Sequence, residues 1–417
     1  MKIGVVGAGV AGLTAAHLLS KKHQVTLVEK QKRIGGHTNT IYVEENNKKI
    51  GVDTGFIVLN DRNYPNFKKL LVNLGVEIRN TDMSFSYYDE NNGFNYAGTG
   101  ISGYFSQKRN LFSPKHYNFL LNVKKYSKVA VNDIVNGELI DESLGEYLVR
   151  NNYPQSIIDQ FMIPMGAAVW SGSRKDIMNF PVKMFLHFFN NHGILDLNNA
   201  PQWHTVVGGS FTYVKKILDD FDGEIIHGNG VKGIIRKNEK VILTLEDNTV
   251  MEFDKVVCAS HADQTYKMIK DISDDEKSIL EPWEYSENKT VLHTDISFMP
   301  PTKSAWACWN YVRNKDSEDD DDVSVTYYMN RLQGLTTAKE YLVTLNPTKE
   351  IPNENIIYET SYTHPKYTHS SIATQEKIKK VNGSKNLYFC GSYCRYGFHE
   401  DAVISAVSVA EKLGCRL

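Results

Sequence analysis

The first thirty residues contain the feature that most constrains how this chain folds. A short β-branched run, 3–6, leads directly into a glycine-rich turn, an apolar helical stretch and a second strand-like run, 24–29. This order of strand, turn, helix and strand is typical of a parallel βαβ unit that binds a dinucleotide. The turn consists of Gly7, Ala8, Gly9, Val10, Ala11 and Gly12.

Each glycine of this turn has a separate physical task. Gly7 permits the tight turn, Gly9 lets the backbone approach a pyrophosphate, and Gly12 allows the helix to pack closely on the strand. The N–H groups at the helix start have no partner inside the helix and would bind the phosphates. Glu29 ends the second strand, where a carboxylate can accept hydrogen bonds from a ribose. The sequence therefore predicts a dinucleotide site.

The stretch after Glu29 favours FAD over a nicotinamide cofactor. A basic residue and a Gly-Gly pair follow the acidic strand end, which resembles the extended FAD fingerprint of the amine-oxidase and glutathione-reductase flavoproteins. A pyridine-nucleotide disulfide reductase would carry a second Rossmann unit and a redox-active cysteine pair, and the sequence shows neither. The cofactor contacts expected in this stretch are Lys30, Arg33, Gly35, Gly36, His37 and Thr38.

A second GxGxxG match, at 228–233, lacks the context of the first. The residues that follow it alternate like strands separated by polar turns, so no helix N-terminus would face a phosphate. We expect a strand-turn segment here rather than a second dinucleotide site.

The composition narrows the classes of function. The chain has 417 residues and a formal net charge of −2, so no overall charge favours binding to nucleic acid or to a membrane surface. Five scattered cysteines do not resemble a disulfide framework and indicate a reducing compartment. No metal site is predicted, because the only close pair, Cys390 and Cys394, has no further ligands nearby. We expect a cytoplasmic protein that binds a small molecule or lipid.

The rest of the chain alternates between a cofactor layer and a substrate layer. Segments 1–60, 203–260 and 384–417 are assigned to a discontinuous cofactor domain, in which a Gly-Gly turn leads into a helix capped by Ser210. Segment 61–202 is predicted to be mostly helical, and its aromatic residues form either ordinary core or an apolar tunnel. Segment 261–383 is predicted to be rich in strands, with the acidic run at 314–324 forming a solvated hairpin loop.

Several stretches together resemble one protein family. They are GVVGAGVAGLTAAHLL, GGHTNT, VDTGFIVLN, VVGGS, AWACWNY and FCGSYCRYGFHED, in this order along the chain. The sequence is similar, over nearly its whole length, to the bacterial FAD-dependent oxidoreductases of the flavin-containing amine-oxidase superfamily that are often encoded beside cyclopropane-fatty-acid synthase-like methyltransferases. Such a methyltransferase is therefore an expected partner.

This resemblance implies an α/β fold. It combines a Rossmann-type FAD-binding domain, glutathione-reductase-like with amine-oxidase topology, with a discontinuous α+β substrate domain. Gly55 and Phe56 would form a turn against the flavin ring, and Val231 would lie beside the adenine. In this superfamily a C-terminal strand, turn and helix close the flavin site, and residues 386–414 have that pattern.

The resemblance also assigns cofactor contacts to this C-terminal segment. Gly391 would let the backbone approach FAD. The helix start near Glu400, Ala402 and Val403 would stabilise negative charge on the reduced ring.

The C-terminal turn is also the predicted catalytic region. Tyr396, Phe398 and His399 would stand where amine oxidases place an aromatic wall beside the substrate. The sequence HED replaces the MEG more usual in amine oxidases, which argues against an amine substrate. His399 is interpreted either as a hydrogen-bonding residue that holds the turn or as a proton-transfer group.

Three functions stay open on this basis. The first is a desaturase, oxidase or isomerase that passes a hydride from a fatty-acyl or modified acyl lipid to flavin N5. The second is an amine or amino-acid oxidase with a short, polar-ended pocket. The third is a non-catalytic flavoprotein partner of a lipid methyltransferase. Lipid access would require peripheral contact with the inner membrane face, because no apolar run is long enough to span a bilayer.

Seven further side chains are expected around the substrate. Trp309 is a candidate catalytic residue, and Arg331 either pairs with a substrate carboxylate or forms a structural ion pair. The full set is Trp170, Trp306, Trp309, Tyr311, Tyr328, Asn330 and Arg331.

Overall fold

The secondary structure has the α/β composition expected from the sequence. This computed structural model describes residues 1–196, 199–315 and 324–417, so the hairpin loop predicted at 314–324 lies largely outside the described residues. The strands are β1 (Lys2–Val6), β2 (Gln24–Glu29), β3 (Thr40–Glu45), β4 (Lys48–Asp53), β5 (Val58–Asn60), β6 (Ile78–Thr81), β7 (Phe85–Asp89), β8 (Asn95–Ala97), β9 (Trp203–Val206), β10 (Glu224–His227), β11 (Val231–Lys237), β12 (Lys240–Leu245), β13 (Val250–Phe253), β14 (Lys255–Cys258), β15 (Tyr285–His293), β16 (Trp309–Arg313), β17 (Val325–Tyr328), β18 (Leu342–Leu345), β19 (Ile356–Pro365) and β20 (Leu387–Phe389).

Helices occur along the whole chain, and residues 101–191 contain a succession of them. They are α1 (Val10–Ser20), α2 (Pro65–Asn73), α3 (Ile101–Tyr104), α4 (Pro114–Asn136), α5 (Leu144–Arg150), α6 (Gln155–Ile157), α7 (Ile163–Trp170), α8 (Arg174–Met178), α9 (Val182–Asn191), α10 (Phe211–Asp219), α11 (Ala262–Met268), α12 (Asp274–Leu280), α13 (Met329–Leu332), α14 (His369–Ile372), α15 (Gln375–Val381) and α16 (His399–Lys412).

A parallel sheet in the order β10-β2-β1-β14-β20 forms the cofactor layer. Its strands come from the three segments that the sequence assigned to a cofactor domain, with β1 at the centre. β1 is buried along almost its whole length, as expected for a parallel strand covered on both faces. Helices α1 and α16 pack against each other beside this sheet. The βαβ unit thus brings the glycine turn to the carboxyl edge of the sheet, where ligands of such folds bind.

Two glycines of the turn have the steric roles that the sequence predicted. Gly7 adopts φ +100°, a conformation that side chains disfavour. A Cβ on Gly12 would lie 1.8 Å from the carbonyl oxygen of Gly7. Because that neighbour is backbone, it cannot move aside, and only glycine allows α1 to start this close to β1.

A seven-stranded sheet in the order β19-β15-β18-β17-β16-β7-β8 forms the substrate layer. Five of its strands lie in the segment predicted to be rich in strands. β7 and β8 come from segment 61–202, which is mostly helical as predicted, with β6, β7 and β8 at residues 78–97 as its strands. β7 pairs in parallel with β16, a partner more than 200 residues away in sequence. This long-range pairing decides the structure of a short aromatic run that fits either a helix or a strand.

The remaining parts of the fold follow the predictions more closely. β11, β12 and β13 form an antiparallel sheet directly after the second GxGxxG match, which confirms a strand-turn segment there. Helices α4 to α9 form a layer that contains one π-helical turn, Ile158–Met162. No helix among the described residues is long and apolar enough to cross a membrane.

Candidate functional site

A cavity of about 1500 Å³ runs from the carboxyl edge of the parallel sheet to the helical layer. Pockets that hold one small ligand have volumes of about 300–1,000 Å³. This cavity therefore has room for a dinucleotide and a substrate together. The glycine turn lies at one end of it and helix α4 at the other.

The dinucleotide end of the cavity is formed by the βαβ unit. Gly9 precedes α1 and lines the cavity, and a Cβ added there would have no protein atom within 4 Å. This open space beside the helix N-terminus is where a pyrophosphate fits against backbone N–H groups. Val10, Ala11 and Glu29 also line the cavity. The backbone N–H of Ala8 donates to Glu29 Oε2 over 2.7 Å, which holds the carboxylate in place for a ribose.

The Gly-Gly loop forms the next part of the wall. The N–H of Gly35 donates to the Ala8 carbonyl over 2.9 Å, and a Cβ on Gly36 would lie 2.9 Å from Gly9 Cα. Arg33 donates to the carbonyl oxygens of Gly36 at 2.7 Å and Thr38 at 2.9 Å. The loop is thereby held against the glycine turn, and its tip lines the cavity.

Not every residue predicted as a cofactor contact reaches the cavity. Gly36, His37, Lys30 and Val231 line it, and Gly7 does as well. The structure places five other predicted residues behind the wall, where they shape the backbone that faces the ligand. They are Ala8, Gly12, Arg33, Gly35 and Thr38.

The opposite end of the cofactor site brings the N-terminal and C-terminal segments together. A Cβ on Gly55 would lie 2.0 Å from the carbonyl oxygen of His37, so this turn requires glycine. Phe56, Gly391 and Phe398 also line the cavity, as the resemblance implied. The C-terminal strand, turn and helix are thus packed directly against the first sixty residues.

His399 is fixed between these segments. Its ring stacks on Phe56 with centroids 3.6 Å apart, and its Nε2 lies 3.1 Å from Thr38 Oγ1 and 3.2 Å from the Tyr213 hydroxyl. Burial holds the pKa of His399 well below its usual value, and the neighbouring His37 acts in the same direction. The imidazole is therefore neutral near neutral pH. This geometry favours the interpretation of His399 as the residue that holds the turn.

Two of the three contacts predicted on the C-terminal helix, Glu400 and Val403, need correction, whereas Ala402 lines the cavity as expected. Glu400 does not line the cavity, because its carboxylate accepts hydrogen bonds from the backbone N–H groups of Asn66 and Phe67 at the start of α2. The N–H of Ala402 donates to the Phe398 carbonyl inside the helix, so only the first turn, from His399, offers free N–H groups. Val403 is completely buried in the core, away from the cavity.

Asp53, which the sequence analysis missed, stabilises the same region through hydrogen bonds. This fully buried carboxylate accepts hydrogen bonds from the Ser210 N–H and hydroxyl, from Thr40 and from Gln333 Nε2. The sequence predicted that the Ser210 side chain caps α10. The side chain instead donates to Asp53 and forms no capping hydrogen bond. Burial raises the pKa of Asp53 to about 6 despite these donors. No local motif marks this residue, since two of its partners, Ser210 and Gln333, come from distant segments.

A buried histidine cluster was also missed. His37, His261 and His364 line the cavity, with the ring of His37 6.2 Å from that of His261 and 5.4 Å from that of His364. Burial lowers the pKa of His37 and of His261 to about 4, and that of His364 to about 3. Tyr285 and Tyr362 stack against this cluster. It supplies neutral hydrogen-bonding groups at the cavity wall without adding charge.

The substrate end of the cavity is mainly aromatic and apolar. Trp170, Phe188 and Phe398 form a continuous wall, with Phe188 stacked on Phe398 at 4.6 Å and 4.9 Å from Trp170. Trp309 lines the cavity, and its indole nitrogen is buried without a hydrogen-bond partner among the described residues. Such an unsatisfied donor can bind a ligand oxygen. α4 closes this end with an apolar face and two lysines, and the residues it contributes are Phe119, Leu120, Val123, Lys124, Ser127, Lys128 and Val131.

Several residues predicted near the substrate lie elsewhere. Arg331 pairs with Asp82 at 2.5 Å and does not line the cavity, so the ion-pair alternative is the one observed. Tyr396 is absent from the cavity wall, although its carbonyl lies 3.4 Å from the indole nitrogen of Trp170. Of the seven side chains predicted around the substrate, only Trp170 and Trp309 line the cavity. The other five are Trp306, Tyr311, Tyr328, Asn330 and Arg331.

The described part of the chain offers no metal site. It contains no cluster of three or more histidine, cysteine or acidic side chains that could hold an ion. All five cysteines are free thiols, and four of them are buried.

Solved structures share this fold at low sequence identity. A fatty acid isomerase from P. acnes that produces CLA has a TM-score of 0.67 and 14% identity, covering 98% of each chain. Putrescine oxidase has a TM-score of 0.71 and 11% identity over 99% of each chain. Cyclohexylamine oxidase from Brevibacterium oxydans has a TM-score of 0.67 and 13% identity over 99% of each chain. These likenesses concern the fold alone.

The sequence itself gives the family. No curated protein matches the whole sequence closely enough to report. The model of the family described as flavin containing amine oxidoreductase matches residues 10–303, which is more than half of the chain. The open space at Gly9, the ribose-facing carboxylate of Glu29 and the glycine turn at Gly55 fit an FAD molecule along one wall of the cavity. This protein therefore belongs to the flavin-containing amine oxidoreductase family and is an FAD-dependent oxidoreductase.

Proposed function

We propose that this enzyme acts on the hydrocarbon chain of an anionic acyl lipid, as a desaturase, an oxidase or an isomerase. The observation that supports this most directly is the substrate end of the cavity, where an apolar and aromatic arm ends at two lysines that have no partner among the described residues. FAD bound in this site supplies the ability to accept a hydride and, in an isomerase, to return it. The chain's own residues bind and orient the substrate.

The apolar arm matches a long hydrocarbon rather than a small polar molecule. One wall consists of Leu120, Val123 and Val131 on α4, and the facing wall includes Phe161 and Met165. Each methylene group moved from water into such a surface stabilises the complex by about 0.8 kcal/mol. Phe161 belongs to the π-helical turn, a distortion that recurs at functional sites and changes where side chains point.

Lys124 and Lys128 favour an anionic head group over an amine. They lie one helical turn apart on α4, line the cavity and remain exposed. Neither forms an ion pair or a hydrogen bond with any residue that the structure describes. A carboxylate at this end would pair with two cations, whereas a protonated amine would be repelled. Asp196 lies in the same part of the wall, but it already has an interaction partner.

Trp309 is the polar group that we propose orients the substrate inside the arm. Its buried indole N–H has no partner among the described residues and can donate to an oxygen or to a water on the substrate. A hydrocarbon with one polar group would thereby be held in a defined register relative to the cofactor.

An amine oxidase is the second candidate. The aromatic wall of Trp170, Phe188 and Phe398 favours it, because aromatic faces attract cations. This wall does not require an amine, since the same rings stabilise an apolar chain equally well.

Anaerobic titration of the purified holoenzyme separates these candidates. Linoleate, its methyl ester and a panel of amines are added in turn, while flavin absorbance and the position of the lipid double bonds are followed. We expect linoleate to bleach the flavin or to be isomerised, and the methyl ester to react far more slowly because it carries no charge. Bleaching by amines alone would contradict the acyl proposal and establish the amine oxidase.

A further inference from the structure

An unusual surface adjoins the substrate end of the cavity. Three large apolar side chains are strongly exposed there: Ile101 by 81%, Phe112 by 88% and Leu121 by 67%. Leu111 and Tyr117 are exposed as well. Apolar residues exposed together in this way mark a contact site rather than ordinary surface. We call the surface formed by residues 101–128 the entrance surface.

The members of the entrance surface are held together by direct contacts. The Tyr117 hydroxyl donates to the Leu111 carbonyl over 3.1 Å, and the ring of Phe105 lies 5.6 Å from that of Tyr117. Ser113 caps α4 by accepting from the His116 N–H, which joins the short helices before it to α4. Leu121 follows Tyr117 by one helical turn, so both lie on the same face. Leu111, Tyr117 and Leu121 are therefore neighbours, and Ile101 and Phe112 are exposed on the segments that lead into α4.

The charge of this region differs from that of the rest of the chain. Residues 91–132 contain six lysines and arginines and no aspartate or glutamate, although the whole chain has a net charge of −2. None of the six forms an ion pair with a residue that the structure describes. They are Lys108, Arg109, Lys115, Lys124, Lys125 and Lys128.

The cavity opens at this surface. By helical periodicity Lys124 and Lys128 lie on the face of α4 that bears Tyr117 and Leu121, and both also line the cavity. Both lysines are exposed and also line the cavity, which is the position expected of residues at its mouth. A ligand that enters here passes between the basic and apolar groups of the entrance surface.

We infer that the entrance surface docks on an anionic lipid bilayer and that the enzyme takes its substrate directly from it. Exposed Phe and Leu side chains insert into the interface, and surrounding lysines bind anionic head groups, the combination found in peripheral membrane proteins. The absence of any acidic residue distinguishes this patch from a typical protein contact, where both charges occur. Docking rests on the geometry of the surface alone, whereas uptake of substrate from the bilayer rests on the proposed function.

Vesicle sedimentation of the holoenzyme tests the inference. Phosphatidylcholine vesicles with and without phosphatidylglycerol serve as probes, and flavin absorbance reports that each variant is folded. We expect binding to the anionic vesicles only, and weaker binding at high salt. Equal binding to both vesicles, or binding to neither, would overturn the inference.

Two matched pairs of variants locate the surface. Phe112→Ser with Leu121→Ser should weaken vesicle binding at least about tenfold. The control, Val72→Ser with Val149→Ser, alters two valines that are 75% and 73% exposed elsewhere and should leave binding unchanged. Lys108→Glu with Lys115→Glu should weaken binding at least about tenfold, whereas Lys69→Glu with Lys377→Glu should have little effect. Equal losses in the controls would show that binding is not confined to the entrance surface.

The vesicle assay also separates this inference from the proposed function. Neither Lys108 nor Lys115 lines the cavity, so their substitution should leave turnover of lipid dispersed in detergent unchanged. Normal vesicle binding without turnover of any acyl lipid would reject the proposed substrate and retain the docking surface.

Discussion

The glycine-rich cradle of residues 7–56 and the helical wall of residues 101–136 face the same cavity but are built on opposite principles. In the cradle, backbone lies so close to backbone that side chains are excluded, as at Gly12 and Gly55. In the helical wall, by contrast, the exposed side chains of Lys124 and Lys128 line the cavity. The comparison shows that one wall is specified by steric necessity and the other by the chemistry of its side chains. Substitutions should therefore affect the two regions differently.

The largest effect is expected in the cradle. Gly12→Ala places a methyl group 1.8 Å from a backbone oxygen, so the protein should lose about 3 kcal/mol or more of folding free energy and retain little FAD. Gly9→Ala meets no protein atom, so the apoprotein should unfold at an unchanged urea concentration while its affinity for FAD falls. Chemical denaturation and FAD titration measure both. Similar destabilisation of the two apoproteins would contradict this distinction within the cradle.

Asp53 joins the cradle to the substrate layer, and its contribution should depend on pH. Its folded pKa of about 6 is above the usual 3.8, so the unfolded chain gives up the proton first as pH rises. The stabilisation is present below pH 4 and is lost between about pH 4 and 6, with a size of up to about 3 kcal/mol. Asp53→Asn should remove this dependence from urea unfolding curves, whereas substitution of the exposed Asp222 by Asn should not. An identical pH dependence of urea unfolding in wild type and Asp53→Asn would contradict this contribution of Asp53.

Substitutions in the helical wall should weaken substrate binding rather than lower the stability of the fold. Lys124→Ala with Lys128→Ala removes two cations from the cavity mouth, and we expect KM for linoleate to rise about 10-fold or more, with little change in the urea midpoint. Lys125→Ala, on the same helix but outside the cavity wall, is the control. A change in kcat alone would mean that these lysines act in a different way.

The smallest effect is expected at His399, which packs against the cradle. Because burial lowers its pKa, His399 stays neutral near neutral pH, and His399→Gln should leave the pH profile of flavin reduction unchanged. FAD should dissociate a few times faster, since the stacking on Phe56 is lost. Loss of an inflection from the profile in this variant would instead favour the proton-transfer role.

How well each region could be predicted depends on how far apart its interacting residues are in the sequence. The βαβ unit, its glycine roles and the position of Glu29 were predictable, because each depends on neighbours within thirty residues. The strands β7 and β8 were not, since this pair joins the larger sheet only through the pairing of β7 with the distant β16. The same reason explains Glu400, which looked like a cofactor contact beside the C-terminal turn but binds the start of α2.

The sequence by itself determined the dinucleotide site and the parallel βαβ unit, because these depend on local turn geometry and on a fixed spacing of glycine and acidic residues. The choice of FAD and the C-terminal closure of the flavin site came from the family resemblance. The tertiary structure alone decided the ion pair of Arg331, the buried network around Asp53, the histidine cluster and the position of Lys124 and Lys128 at the cavity mouth. Each of these depends on how segments far apart in the chain pack against one another. Their proximity arises from packing, and packing has no signature in a short stretch of sequence.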